Sequence, residues 1–341
     1  MRILALVLVA CVGLVSCNNS NDRPDVSGVD VGKVRIERFD TAFFHLDSND
    51  IIGGLRRLDH EYPWFTPDFV GNILGAAEPL SDTSRLAFAA TRQFLVTYLG
   101  VSDSLKQKYA NLDWLEKELR DGFRHVKYYF PQYKLPQKVV AFIGPFDGPG
   151  VAVTSFALAI GLQSYAGRNF PFYLTSKGQD LYPQYVSRRF EPEYITTNCM
   201  NAIAQDIIPD SSDNRPLIEQ MIIKGRYFWL AGKLLPDVPD SIRTGYTKAH
   251  LDWCAGNEVA VWNYFLQATD LYTIDPDIIK NYIGEGPKTL GMPDAAPGNI
   301  GAWVGWQIVK KYVSSHKELS PAQVMTTPAR TIFEEAKYKP K

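Results

Sequence analysis

Histidine and cysteine are scarce in this chain, 5 and 4 of its 341 residues. His45, His60, His125, His250 and His316 stand far apart, with no His-Glu-x-x-His motif and no paired-cysteine spacing, so a zinc site of the usual kind is excluded. No metal and no cofactor is expected. A Gly-x-Ser-x-Gly elbow and a phosphate-binding loop are missing as well; "GPFDGPG" and "GEGP" lack the Lys-Ser/Thr and strand-turn-helix context and read as turns. Asp147 in the first of these could ligand an ion, but Asp-Gly is first of all a hairpin signal. Neither charge is in excess: 36 Lys and Arg stand against 37 Asp and Glu, and a net charge of -1 sets up no long-range field to gather nucleic acid or anionic lipid. A nucleic-acid partner is disfavoured.

Apolar residues are plentiful, at 45% of the chain with seven tryptophans, enough to bury a large core. The run Ile3 to Leu14 follows Arg2 and ends in "LVSC", with small Ser16 before Cys17. It is too short for a permanent membrane span and fits a cleaved export signal. It resembles the bacterial lipoprotein signal, which implies diacylation of Cys17 as the first mature residue. The polar "NNSNDRPDVSG" that follows reads as a tether. The expected organisation is a signal at 1–16, a tether at 17–31 and one globular domain at 32–341. The same resemblance implies the outer membrane as location, lipid-anchored and on its periplasmic face, since Asn18 and Asn19 follow the cysteine where retained lipoproteins carry an aspartate and Asp22 is alone where surface-exported ones carry an acidic cluster. Cys11 leaves with the signal, so Cys199 and Cys254 could pair in an oxidising compartment or remain buried free thiols.

The body reads as α+β, mainly helical, a small sheet followed by helices. Val34, Ile36 and Phe39 suit an extended lead-in, with Asp40 as the cap of a short helix. Helical spacing of Leu86, Ala89/Ala90, Phe94 and Tyr98 marks a helix from Leu80 to about Tyr98. Another runs from Asp113 to about Phe130 on a stripe of Trp114, Leu115, Leu119, Phe123 and Val126, stopped by Pro131. "KVVAFIG" and "VAVTSFALAIGLQSY" then supply strands. The helical period returns at Pro192 to Ile208 and in "MIIKGRYFWLAG", where Leu217, Ile218, Met221, Ile222, Gly225, Phe228, Trp229 and Gly232 form an apolar stripe. In "NEVAVWNYFL" the inward set is Val259, Trp262, Phe265 and Leu266. Gly301 and Gly305 in "GAWVG" read as close packing of a helix, since Lys310 and Lys311 follow soon after.

"VRIERFDTAFF", "LPQKVVAFIGPF", "IIKGRYFWLAGKLLPD", "NEVAVWNYFLQATDLY" and "PGNIGAWVGWQIVKKY", in this order after a lipoprotein signal, resemble the gliding-motility lipoprotein family GldB. The resemblance spans nearly the whole mature chain. It implies a membrane-anchored envelope protein that meets envelope or motility-machinery proteins and acts through binding, without catalysis.

A more distant resemblance, to zinc-peptidase scaffolds of the His-Glu-x-x-His type, comes from the layout of strands, the helix at Pro192 to Ile208 and a second helix about two dozen residues on. It implies a degenerate zincin-like fold, with "EYITTNCMNAIA" in place of the histidine pair and Lys224 of "IIKGRY" in place of the second-helix glutamate. An ammonium repels zinc and can take the cationic place itself, pairing with Glu193 or Glu258. Alternatively Lys224 is a boundary lysine that snorkels to water. Glu258 could line a cleft with Trp262, or serve a basic neighbour or a helix cap. The competing functional reading is a hydrolase with Glu193 and Glu258 as its carboxylates.

Overall fold

Two strands with no polar alternation set the architecture. The computed structural model describes residues 23–76, 81 and 84–341; the signal, Cys17 and the tether before Arg23 lie outside them. Strands β1 (Ile36–Arg38), β2 (Lys138–Phe142), β3 (Val151–Val153) and β4 (Ala157–Gly161) form a sheet of order β1-β2-β4-β3. β1, β2 and β4 are parallel, and β3 closes one edge antiparallel to β4. Val139, Ala141, Leu158 and Ile160 point into one core and Val140, Phe142 and Ala159 into another. A parallel sheet covered on both faces needs apolar residues at successive positions, which "VVAF" and "ALAIG" supply.

The smaller core is aromatic and is built by α1 (Phe39–Phe44), α2 (Ile51–Glu61), α3 (Thr66–Asp68) and α4 (Arg85–Lys108). Phe39 meets Phe65 and Phe69 edge-on at 4.9 Å each. Such quadrupole-favoured contacts add about 0.5–1.5 kcal/mol per pair beyond burial. Asp40 is not the cap of α1. It lies buried in the first turn and accepts from Arg38 Nε at 2.8 Å, while Arg38 Nη1 donates to the Tyr109 carbonyl at 2.7 Å. On α4 the expected Phe94 is buried and Ala90 and Tyr98 pack half-buried against this core, but Leu86 is 62% exposed and Ala87, Thr91 and Leu105 are buried instead. Bulky rings already fill the space beneath the first turns, so the smaller Ala87 and Thr91 face inward there.

The larger core lies on the other face. α5 (Asp113–Tyr129) buries Leu115, Leu119, Phe123 and Val126 as its spacing requires, with Trp114 half-buried. Short α6 (Ser176–Leu181) and α7 (Gln184–Ser187) lead to α8 (Ile195–Ile207) and α9 (Leu217–Leu234). Next come α10 (Asp240–Thr244), α11 (Lys248–Gly256), α12 (Glu258–Ala268), α13 (Pro276–Tyr282) and α14 (Ile300–Ser315), and α15 (Pro321–Thr326) and α16 (Ala329–Ala336) close the chain. Val261, Trp262 and Phe265 of α12 are buried, whereas Val259 and Leu266 are 42% and 54% exposed. Asp147 sits in a turn between β2 and β3, which are not partners, so that turn is no hairpin.

α9 and α14 cross backbone on backbone. A Cβ built on Gly305 would lie 1.7 Å from the Met221 carbonyl oxygen, and one on Gly225 would lie 2.2 Å from the Gly305 carbonyl carbon and the Trp306 nitrogen. Neither neighbour is a side chain that could rotate away. Gly305→Ala and Gly225→Ala are expected to cost about 3 kcal/mol or more, the upper end of overpacking. Gly100→Ala, on exposed α4 with nothing within 4 Å of the added carbon, is expected to gain about 0.5–1 kcal/mol from chain entropy. Thermal melts of the three variants check both signs.

Candidate functional site

Lys224 lies at the edge of α9, as a boundary lysine does, and Arg226 is turned inward. The Lys224 side chain is 34% exposed, and its ammonium donates to the carboxylate of Asp210 on the connection between α8 and α9. Burial would raise the Asp210 carboxyl, but hydrogen bonds from Lys224 and Ser212 hold it below its ordinary value. The partner is thus neither Glu193 nor Glu258. Arg226, two residues on, is the buried cation of this stretch at 7% exposure. Its Nη1 donates to the carbonyls of Met325 at 2.6 Å and Thr327 at 2.7 Å, capping the end of α15 as a cation at a helix C-terminus does. Burial lowers its pKa.

The expected cluster of Glu193, Lys224 and Glu258 is not assembled: among the described residues no hydrogen bond or ion pair joins any two of them. Glu193 is exposed on the short turn Pro192–Tyr194, and the neighbouring Glu191 takes the cations instead. Glu191 accepts from Arg168 Nε at 2.9 Å and lies 3.7 Å from Lys108 Nζ; burial opposes its ionisation, but Arg168 holds its carboxyl low. Glu258 opens α12 and accepts from the Tyr338 hydroxyl at 2.5 Å, beside the edge-on contact of Trp262 with Tyr338 at 5.1 Å. It fastens the C-terminal tail. Cys199 and Cys254 are both free and buried, and burial raises both thiols, Cys254 to about 12, which keeps them protonated and unreactive.

The polar groups that do converge were not singled out by the sequence. A cleft of about 500 Å³ lies between α5, the start of α8 and the end of α9, floored by Leu234, Leu235 and Val238. Thr196 Oγ1 donates to Glu118 Oε2 at 2.5 Å across it. His125 is 4% exposed; its Nδ1 bonds the Asp121 carbonyl at 2.9 Å, and its Nε2 has no partner. Arg124 Nη1 donates to Asp121 Oδ1 at 3.0 Å while its buried Nε is also unpartnered. The tether crosses the mouth: Arg23 to Ser27 line the cleft, and the Arg23 guanidinium grips both oxygens of Asp237. That hydrogen-bonded pairing raises the Arg23 pKa and lowers that of Asp237. The arrangement can bind a polar ligand through donors and carboxylates at once. Its members come from α5, α8, the tether and the connection after α9, far apart in sequence, and only the helical face Glu118, Asp121, Gly122, His125 of α5 carried a readable signal.

Among the described residues no three His, Cys, Asp or Glu side chains converge as a metal-binding group, and no helix is long and apolar enough to cross a membrane. The fold is thus a mainly helical α+β scaffold around a small mixed sheet, with a docked N-terminal strap over a polar cleft. The chain belongs to the family described as gliding motility protein GldB, which matches residues 19–340. No curated protein and no solved structure matches it.

The two cations of α9 give a test. Lys224→Met is expected to lower stability by no more than about 1 kcal/mol, because a half-exposed ion pair is worth little. Asp210 has a lowered folded-state pKa, so its contribution is present above the ordinary value of about 3.9 and is lost in acid; the difference between parent and variant should close there. Arg226→Met strands two carbonyls and is expected to cost about 2–3 kcal/mol at neutral pH. Melts across a pH series distinguish the two.

Proposed function

We propose that this protein is an envelope lipoprotein, acylated at Cys17, held on the periplasmic face of the outer membrane, and working in gliding motility by binding other envelope or motility-machinery proteins. Its body is a degenerate peptidase-like scaffold without catalysis. Family membership over residues 19–340 supports the motility role. The observation that carries the binding reading is the dispersal of Glu193, Lys224 and Glu258 into three separate structural pairings or surfaces. A hydrolase on Glu193 and Glu258 needs both to face one substrate, and each instead has its own surroundings. Apolar side chains left in solvent on and after α12, namely Val259, Leu266, Tyr272, Ile274 and Ile278, offer a surface of the kind that partners cover.

Two measurements test this. Cells fed labelled palmitate should label the parent and not Cys17→Ser; label retained on the variant refutes acylation at this residue. The lipidated parent, captured from envelope extracts, should bring defined envelope or motility proteins with it, and Val259→Asp/Leu266→Asp should lose them while melting like the parent. Capture that is indifferent to these substitutions rules out the α12 face as the contact.

A further inference from the structure

Three cavities meet where the tether leaves the body, sharing Arg23 and Pro24, and they differ in charge. One of about 770 Å³ is lined by Lys233, Lys310 and Lys317 together with Tyr128, Tyr129 and Trp229, and by no Asp or Glu. Arg23 is neutralised by Asp237, but none of the three lysines forms an ion pair among the described residues. The lysines come from the last turn of α9, from α14 and from the turn after α14, so the fold gathers them. Ring contacts hold two of them in place: Lys233 Nζ lies 5.8 Å from the Trp229 centroid and Lys310 Nζ 4.3 Å from that of Trp306. Burial lowers the Lys310 pKa, and the charges of Asp240 and Glu258, which line a neighbouring cavity with Lys310, oppose that shift. Three like charges in one concavity, with no counter-charge in its lining, set up a local positive potential that an anion relieves.

We propose that this groove binds the phosphate of an anionic membrane lipid and lays this face of the body on the bilayer that carries the anchor. This rests on the reading of Cys17 as the acylated residue. Five residues lie between Cys17 and Arg23, and an extended chain spans at most about 3.6 Å per residue, so Arg23 stays within roughly 20 Å of the acylated residue. Arg23 and Pro24 are themselves part of the groove's lining. A lipid headgroup is therefore always within reach, whereas a soluble phosphate must be recruited from dilute solution. Tyr128, 50% exposed at the rim, has the amphipathic form that settles at a membrane interface.

The test uses the chain from Asn18 onward, which keeps every described residue and carries no lipid. Sedimented with vesicles of phosphatidylcholine alone or of phosphatidylcholine and phosphatidylglycerol, it should bind only the latter. Each lysine near an anionic surface contributes a factor of about five, so Lys233→Gln/Lys310→Gln/Lys317→Gln should bind about 100-fold more weakly. Should the triple variant melt early, Lys317→Gln alone, at an exposed position without a partner, is expected to lose about fivefold. Equal binding by parent and variants overturns the proposal, as does displacement by millimolar inorganic phosphate at constant ionic strength, which marks a free-phosphate site. Acylation of Cys17 is read separately by the palmitate label, so a failure of the groove and a failure of the anchor give different results.

Discussion

The contact of α9 with α14 at Gly225 and Gly305 is the constraint on which the larger core depends. With the Met221 carbonyl where a Cβ of residue 305 would be, the two helices share one backbone surface and their flanks become fixed relative to each other. One flank carries Leu217, Met221 and Ile222 into the apolar core with Ile300, Val304 and Ile308. The far ends bring Lys233 beside Lys310, and Arg226 reaches across to fasten α15. A methyl group between the helices would separate all of these at once, because packed interiors transmit displacement instead of absorbing it.

Much of this was legible in the sequence. The strands of "VVAF" and "ALAIG", the α5 stripe and the close approach at "GAWVG" follow from local pattern, since burial on a strand face or helix stripe is written in residue spacing. The family likeness was legible from segments in register, and the match to residues 19–340 bears it out. The rotation of α4 was not, because whether Leu86 or Ala87 faces inward depends on how far the rings of Phe39, Phe43 and Phe69 protrude from other segments. On α12, likewise, Val259 and Leu266 lie on the side that the described residues leave in solvent, which the apolar stripe alone does not show.

The site was the least legible part. Lys224 drew notice as a charge in an apolar helix, but helix registry puts it at the edge, within reach of Asp210, and sends Arg226 inward. A guanidinium tolerates that place because two carbonyls at a helix end receive it; its sequence neighbours cannot show this. Glu193 and Glu258 were paired by chemistry alone. Tyr338, 80 residues from Glu258, decides the actual pairing. A net charge of -1 likewise hid a groove lined by three lysines and no Asp or Glu among the described residues, since a sum over the chain erases local fields.

The central claim is that the glycine crossing holds the larger core together. Amide hydrogen exchange of the native protein tests it most directly, since the slowest amides report the last structure to open. Amides of Met221 to Arg226 and of Gly301 to Trp306 are expected to exchange only through global unfolding, more slowly than those around Val96 and Leu99 on the exposed face of α4. Exchange of the crossing amides as fast as those of α4, with the aromatic core protected longer, would contradict it.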